Sequence, residues 1–287
     1  MRVLEQLQET TFLCQRYRAA GLSIGFVPTL GALHAGHASL IRQSALECEK
    51  TVVSIFVNPT QFGPGEDFAA YPRQREADTE ICRGAGADLV FFASSGEVYP
   101  EGFQTWVTVE ELTRSLCGRM RPGHFRGVAT VVTQLLSIVQ PHRAYFGQKD
   151  YQQCQVVRRL TRDLHLGLEI RVAPTIREPD GLALSSRNQY LDASARRVAP
   201  RICQALQAGR GLILAGEESV ERVIERMTEE LSPGEDLRLD YVEVRDSETL
   251  REPEEGRIGP GPGGVLLAVA AFVGKSRLID NVLVPLP

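Results

Sequence analysis

Short apolar runs alternate with longer amphipathic segments over the first two thirds of the chain. Runs rich in β-branched and aromatic residues predict buried strands at 21–27, 51–57, 87–92, 144–147 and 168–174. Between them, the spacing of apolar positions predicts helices at 37–50, 75–86, 127–139 and 150–164. Buried strands that alternate with helices predict a parallel sheet covered on both faces, which is a doubly wound α/β fold. Such sheets bind ligands beside the carboxyl ends of their strands.

The pattern changes after about residue 188. Here it predicts two amphipathic helices and three strands, at 196–213, 219–231, 237–246, 263–273 and 276–284. The stretch GPGPGG, residues 259–264, is expected to link two of these strands. We therefore predict a Rossmann-like domain over residues 1–187 and a smaller α+β domain over residues 188–287.

Composition and charge exclude several classes of protein. The 287 residues carry a net charge of −4, which argues against non-specific binding to nucleic acid. The longest apolar run, GGVLLAVAAFVG, is too short to span a membrane, and the N-terminus lacks the apolar segment of a secretory signal. The six cysteines form no CxxC pair, so we expect reduced, mostly buried thiols. Together these features favour a cytoplasmic protein with no membrane or nucleic-acid partner.

Two glycine-rich stretches imitate phosphate-binding loops. GPGPGG fits the pattern G-x-G-x-x-G, but it precedes a strand and its prolines lack the N–H groups that hold a phosphate. VGKS, residues 273–276, resembles the end of a P-loop, but Val269 stands where the first glycine is needed. We expect neither stretch to bind phosphate.

Two of the chain's five histidines lie three residues apart in PTLGALHAGH, residues 28–37. His34 and His37 follow a predicted strand and open a predicted helix, whose free N–H groups and partial positive charge favour phosphate. We expect Gly36 to allow close approach of a ligand, and the two imidazoles to stay neutral and donate one hydrogen bond each. Two structural histidines or a metal site are the alternatives, although no third metal ligand is spaced nearby.

H-x-G-H between a strand and a helix resembles the nucleotidylyltransferase superfamily, whose members transfer an adenylyl or cytidylyl group and release pyrophosphate. Five stretches are similar, in order and spacing, to the pantoate–β-alanine ligase family within it: FVPTLGALHAGH, SIFVNPTQFGP, RPGHFRGVATVV, AYFGQKDYQQ and DGLALSSRNQYL. The similarity is dense over residues 20–195. The last third matches only weakly, through LDYVEVRD and LIDN.

The resemblance implies an ATP-dependent ligase that joins (R)-pantoate to β-alanine through a pantoyl-adenylate and releases AMP and pyrophosphate. It also implies Mg²⁺ with ATP, and a homodimer formed through the N-terminal domain. The pantoate carboxylate is already ionised near pH 7, so its attack on ATP needs charge neutralisation and alignment but no general base. The alternatives are a related adenylyl- or cytidylyltransferase acting on another small acid, and a non-catalytic nucleotide-binding protein.

The resemblance also assigns roles to particular residues. It implies that His34 and His37 contact the ATP phosphates. It also implies that His37 is the usual catalytic residue, with His34, Lys149 and Arg187 as further catalytic groups. The ATP-binding set that it implies is Leu30, Gly31, Ala32, Leu33, His34, Ala35, Gly36, His37, Gly147, Gln148, Lys149, Asp150, Ile176, Leu184, Ser185, Ser186 and Arg187. The pantoate ligands that it implies are Gln61 and Gln153, with Asn58 a weaker candidate. For Arg121 and His124, a structural role is as well supported as a functional one.

Three further expectations concern the surroundings of the site. Residues 62–72, rich in Gly and Pro, are a candidate lid that keeps water from the adenylate. No carboxylate cluster for Mg²⁺ is evident, and Asp78 is a weak candidate for a water-mediated contact. The chain has Leu30 where the family pattern has methionine, and Gln148 where it has glutamate. The second change removes a negative charge beside Lys149 and is a reason to expect lower activity.

Overall fold

The computed structural model, which describes residues 1–231, 236–259 and 263–286, contains the predicted parallel sheet. Its six strands are β1 Arg2–Leu4, β2 Ile24–Thr29, β3 Lys50–Ile55, β4 Leu89–Phe92, β5 Arg143–Gly147 and β6 Glu169–Ala173. They lie in the order β1-β4-β3-β2-β5-β6, and every neighbouring pair is parallel. The prediction of a doubly wound α/β fold is confirmed.

Helices surround this sheet and connect its strands. They are α1 Leu7–Ala19, α2 Ala35–Glu47, α3 Arg75–Gly84, α4 Ser95–Val98, α5 Leu116–Met120, α6 His124–Val139 and α7 Tyr151–Asp163. The sequence predicts α2, α3, α6 and α7 to within a few residues, but it does not predict β1, α1 or the short α4 and α5. The apolar periodicity of α1 is weak, and only Thr10, Leu13 and Cys14 of this helix are buried.

The winding of the sheet reverses between β2 and β5. These two strands pair directly, with Gly25 opposite Arg143 and Phe26 opposite Ala144. From β2 the chain passes through α2 to β3 on one side, and from β5 it passes through α7 to β6 on the other. The carboxyl ends of the two strands, at Thr29 and Gly147, therefore border the crevice in which open α/β sheets bind ligands.

The central strands are buried on both faces, as their continuous apolar runs predict. Val27 of β2, Ile41 of α2, Val53 of β3 and Val90 of β4 belong to one cluster and have no exposed surface. Burial of each such side chain contributes roughly 1.5–3 kcal/mol. The loops at the carboxyl edge of the sheet are thus supported by a tightly packed core.

By its contacts the chain divides into two units. The first consists of Met1–Thr113, Cys117–Gln148 and Gln153–Pro174. The second consists of Arg114–Leu116, Lys149–Gln152 and the chain from Thr175 onward. Residues 175–187 pack with the second unit, whereas the sequence analysis groups them with the first. A boundary between folding domains at residue 187 stays a prediction.

The second unit contains the predicted strands as an antiparallel sheet in the order β7-β8-β9. Its elements are α8 Ala193–Val198, α9 Arg201–Leu214, α10 Val220–Leu231, β7 Leu237–Asp246, β8 Val265–Val273 and β9 Ser276–Val284. The prediction of one helix over 196–213 is wrong, because α8 ends before Pro200, which has no N–H group to continue it. Leu206 of α9, Met227 of α10 and Val269 of β8 are fully buried in the core of this unit.

The glycine-rich stretches, the cysteines and the helix lengths also bear on the sequence analysis. VGKS forms the turn between β8 and β9, where Val273 pairs with Ser276, so it does not form a P-loop. Residues 260–262 of GPGPGG lie outside the described residues. The six cysteines, all within the described residues, lie outside any disulfide, and four of them are buried. None of the described helices combines the length and the hydropathy that a membrane span requires.

Candidate active site

Two histidines begin the helix that follows β2. His34 is the N-cap of α2, and its Nδ1 accepts a hydrogen bond of 3.1 Å from the N–H of Gly36. His37 Nδ1 accepts one of 3.3 Å from the N–H of His34, which completes a capping box. A ring nitrogen that accepts an N–H carries no hydrogen, so each neutral imidazole keeps its hydrogen on Nε2. The centroids of the two rings lie 4.1 Å apart.

Gly36 is needed by His34 as well as by any ligand. A Cβ at position 36 would lie 2.8 Å from Cε1 and 3.0 Å from Nδ1 of His34. Contacts this short would displace the imidazole. The ring of His34 therefore occupies the space that the side chain of any other residue at position 36 would need, a reason that the sequence analysis does not give.

A buried carboxylate holds the loop that precedes the histidines. Asp78 of α3 accepts hydrogen bonds from the N–H groups of Ala32, at 3.0 Å, and Leu33, at 2.7 Å. Gly31 and Ala32 both have positive φ, of 87° and 50°, a conformation that costs a non-glycine residue roughly 1–2 kcal/mol. Burial raises the pKa of the Asp78 carboxyl, and the two N–H donors only partly oppose that effect. This geometry favours a positioning role for Asp78 over the Mg²⁺ contact, which stays a prediction.

Asn58 fixes the orientation of the Gln61 amide. These residues lie at the start and end of the short turn after β3, and Asn58 is fully buried. Asn58 Nδ2 donates to Gln61 Oε1, at 3.0 Å, and to the carbonyl of Gly127, at 3.3 Å. Asn58 Oδ1 accepts from the hydroxyl of Tyr99 at 2.8 Å. Because Oε1 of Gln61 is engaged, its Nε2–H₂ group remains to donate to a ligand.

Arg121 and His124 connect the candidate lid to Gln61. His124 Nδ1 donates to the main-chain oxygen of Gln61 at 2.8 Å, and Arg121 Nη2 donates to the same oxygen at 3.2 Å. Arg121 also forms a bidentate ion pair with Glu66, with distances of 2.7 and 2.6 Å. Burial raises the pKa of the Glu66 carboxyl, but the hydrogen bonds and charge of Arg121 outweigh it and lower the pKa overall. Glu66 lies within residues 62–72, so this pair ties the candidate lid to the main chain of Gln61.

The GQKD segment follows β5 at the other side of the crevice. A Cβ at Gly147 would meet no atom within 4 Å, so the backbone is open to a ligand there. Gln148–Asp150 form a single helical turn, and Lys149 Nζ lies 3.6 Å from Asp150 Oδ1. Gln153 lies in the first turn of α7.

The remaining predicted ATP ligands lie in the second unit. Ile176 and Leu184 are paired, since the N–H of Leu184 donates to the carbonyl of Ile176 at 2.9 Å. Residues 176–184 thus form a small hairpin, with a β-bridge between Arg177 and Ala183. Ser185 caps the helical turn Ser186–Tyr190, and its Oγ accepts from the N–H of Arg187 at 3.3 Å.

The structure adds residues that the sequence analysis does not select. Tyr99 and Glu66 act through Asn58 and Arg121, and no local pattern distinguishes them. Asp280 and Asn281 carry a sequence signal, because two polar residues interrupt the apolar strand SRLIDNVLV. The structure buries both side chains, at 4 and 5% exposure. A buried Asp–Asn pair in an apolar strand needs hydrogen-bond partners.

A sequence model of the Pantoate-beta-alanine ligase family matches residues 2–283. The chain belongs to the pantoate–β-alanine ligase family. A pantothenate synthetase of Moorella thermoacetica is 52% identical over 281 residues, which cover 96% of this chain and 98% of that protein. One from Thermotoga neapolitana is 50% identical, with 98 and 99% covered. The predicted family membership and ligase class are confirmed.

Solved structures of family members have the same fold. Pantothenate synthetase from Thermus thermophilus superimposes with a TM-score of 0.90 and 44% identity over the whole of both chains. Pantoate-β-alanine ligase from Francisella tularensis, complexed with β-γ ATP and β-alanine, gives a TM-score of 0.79 at 33% identity, with 99 and 97% covered. These neighbours confirm the predicted combination of a Rossmann-like sheet with a smaller C-terminal sheet.

Proposed function

We propose that the chain condenses (R)-pantoate with β-alanine to pantothenate, with cleavage of ATP to AMP and pyrophosphate through a pantoyl-adenylate. The family match over residues 2–283 carries this proposal. The position of the two histidines beside the reversal point of the sheet supports it, because helix N-termini at that point favour phosphates. The ATP and β-alanine complex of the Francisella tularensis relative supports the choice of substrates.

In the proposed first step, a carboxylate oxygen of pantoate attacks the α-phosphorus of ATP. The bond from that phosphorus to the bridging oxygen breaks, and pyrophosphate leaves with the bonding electrons. His34 and His37 would donate their Nε2–H groups to phosphate oxygens, while Lys149 and Arg187 would supply positive charge. Donors that are already oriented stabilise the developing charge without reorganisation, which is where we expect most of the acceleration.

Gln61 and Gln153 are proposed to bind pantoate through neutral amide groups. The hydrogen bond from Asn58 engages Oε1 of Gln61, so the Nε2–H₂ group of Gln61 would donate to the carboxylate or a hydroxyl of pantoate. A neutral amide holds a carboxylate without pairing its charge, whereas an arginine would reduce its nucleophilicity. Asn58 then acts as a positioning residue for Gln61.

In the proposed second step, the amine of β-alanine attacks the acyl carbonyl of the adenylate, and AMP and a proton are released. Water competes for the same carbonyl, so the adenylate has to be covered. We propose residues 62–72 as the cover, supported by the ion pair of Glu66 with Arg121.

We propose that Mg²⁺ enters as its complex with ATP. The described residues include no group of three or more His, Cys, Asp or Glu side chains that could hold a metal ion. Phosphate oxygens and water would then supply most of its ligands, as is usual for Mg²⁺. We also propose a cytoplasmic homodimer. The family resemblance supports the dimer, and six cysteines outside any disulfide support the cytoplasm. Sedimentation velocity of the purified chain tests the dimer.

The first test is exchange of labelled pyrophosphate into ATP in the presence of Mg²⁺ and absence of β-alanine. We expect exchange only when pantoate is added, and its loss in His37→Ala. His165→Asn is the matched control, because this exposed histidine has positive φ, which asparagine tolerates. Exchange driven by another acid would favour a related adenylyltransferase. ATP binding without any exchange would favour a non-catalytic nucleotide-binding protein.

A further inference from the structure

The edge strand β9 holds two segments of the second unit to which the proposed function assigns ATP contacts. Its neighbouring residues Asp280 and Asn281 are both buried, at 4 and 5% exposure. Successive residues of a strand point to opposite faces, so each can contact a different segment. Asp280 contacts the hairpin 176–184, and Asn281 contacts Lys149.

Asp280 fixes the hairpin through Arg177. The Arg177 guanidinium donates to both carboxylate oxygens of Asp280, at 2.5 and 3.0 Å, and to the carbonyl of Gly181, at 2.9 Å. One arginine thereby joins β9 to both sides of the hairpin. Ile176 precedes Arg177 directly, and the hairpin leads through Leu184 into Ser185–Arg187.

Asn281 fixes the main chain at Lys149. Asn281 Nδ2 donates to the carbonyl of Lys149 at 2.8 Å. Two more contacts hold the residues that follow, since the Tyr151 hydroxyl donates to the carbonyl of Ser247 at 3.0 Å and Gln152 Nε2 to that of Ser115 at 2.8 Å. Of these contacts, the one from Asn281 fixes the peptide that carries the Lys149 ammonium.

Stability alone does not account for this arrangement. Asp280 shares the buried face of β9 with Leu278, which packs in the apolar core of the unit. A buried ion pair loses much of its attraction to desolvation, and apolar residues of similar volume often stabilise a core as well or better. A bidentate pair does, however, fix the relative position of the two elements that it joins.

We propose that Asp280 and Asn281 are positioning residues for ATP: Asn281 sets the backbone of Lys149, and Asp280 sets, through Arg177, the hairpin that leads into Ser185–Arg187. The proposal rests on the proposed function, because that function assigns ATP contacts to both segments. It gives β9 an indirect part in nucleotide binding.

The test compares Asp280→Asn and Asn281→Ala with Asp240→Asn. Asp240 of β7 pairs with Arg277 of β9 at 2.7 Å, and the two side chains are 5 and 19% exposed, against 4 and 23% for Asp280 and Arg177. The control thus removes the carboxylate of a comparably buried ion pair in the same sheet. The measurements are the KM and kcat for ATP in pantoate-dependent exchange, the affinity for α,β-methylene-ATP by calorimetry, and the thermal midpoint.

We expect both variants to lower kcat/KM for ATP roughly 10- to 100-fold and to weaken binding of α,β-methylene-ATP, with the KM for pantoate unchanged. Asp240→Asn should lower the thermal midpoint alone. If Asn281→Ala fails to fold, Asn281→Leu roughly keeps the size of the side chain and removes the donor to Lys149 without adding a buried charge.

Two results would overturn the inference. The first is that both variants fold and that their kcat/KM for ATP and their affinity for α,β-methylene-ATP stay within about twofold of the parent. The second is that Asp240→Asn loses as much affinity for α,β-methylene-ATP as they do. Failure of the parent chain to exchange pyrophosphate would instead count against the proposed function. The two failures are therefore distinguishable.

Discussion

Replacing Gly36 by alanine should inactivate the site without destabilising the fold. The added Cβ would lie 2.8 Å from Cε1 of His34, so the imidazole has to leave the first turn of α2. Its hydrogen bond with the N–H of residue 36 is then lost, at a cost of about 0.5–1.5 kcal/mol. Alanine, in turn, is favoured over glycine in a helix by up to about 1 kcal/mol. The two effects nearly cancel, so we expect an unfolding free energy within about 1 kcal/mol of the parent.

The effect on catalysis should be much larger. A His34 ring that has moved no longer presents Nε2–H to the phosphate, and removal of one such donor costs roughly 100- to 1,000-fold in kcat. Pantoate-dependent pyrophosphate exchange measures the activity, and urea denaturation measures the stability. Gly211→Ala in α9 is the control, because a Cβ there meets no atom within 4 Å. It should leave exchange unchanged and stabilise the protein slightly.

A double mutant separates two ways in which the new methyl group could act. If Gly36→Ala acts through His34, adding it to His34→Ala should change kcat little further. If the methyl group instead blocks ATP directly, the double mutant should be clearly worse than His34→Ala. A Gly36→Ala variant that keeps more than about half of the parent kcat would refute the reasoning.

Three further outcomes follow from contacts described above. Asp78→Ala leaves two buried N–H groups without acceptors, at about 1–3 kcal/mol each, so urea denaturation should show a loss of about 2–6 kcal/mol; a loss below about 1 kcal/mol contradicts this. His142 Nδ1 accepts from the N–H of Ile24, and burial and nearby arginines lower its pKa below 6.5. As the pH falls, His142 therefore takes up a proton at a higher pH in the unfolded chain than in the folded protein. The free energy of unfolding should then decrease as the pH drops below 6.5. His142→Gln should reduce this pH dependence, and an unchanged dependence counts against the assignment. Glu66→Gln weakens the pair with Arg121, so adenylate hydrolysis, measured as pantoate-dependent AMP release without β-alanine, should rise; an unchanged rate removes the case for this contact.

Local sequence was sufficient to predict five of the six strands of the parallel sheet, but not the contacts between distant segments. Strands such as TVVSI are continuous apolar runs, and their burial on both faces follows from composition alone. Pro200 separates α8 from α9, although the apolar periodicity continues across it. In contrast, β1 has only three residues, and it is a strand because it pairs with β4.

The candidate site shows the same division. The placement of His34 and His37 at a helix start depends on neighbouring residues, so the motif predicts it. The orientation of the Gln61 amide depends on Gly127 and Tyr99, which are far along the chain, and no local pattern contains it. Asp78 is 45 residues from Leu33. That its carboxylate accepts the N–H of Leu33 follows only from the packing of α3.

The capping box at the start of α2 also determines which ions the two imidazoles attract. A transition-metal cation needs a lone pair on Nε2, which places the hydrogen on Nδ1, where it would face the N–H of Gly36 or of His34. Switching tautomer therefore breaks a helix cap. We therefore expect the first turn of α2 to favour anions over zinc or copper.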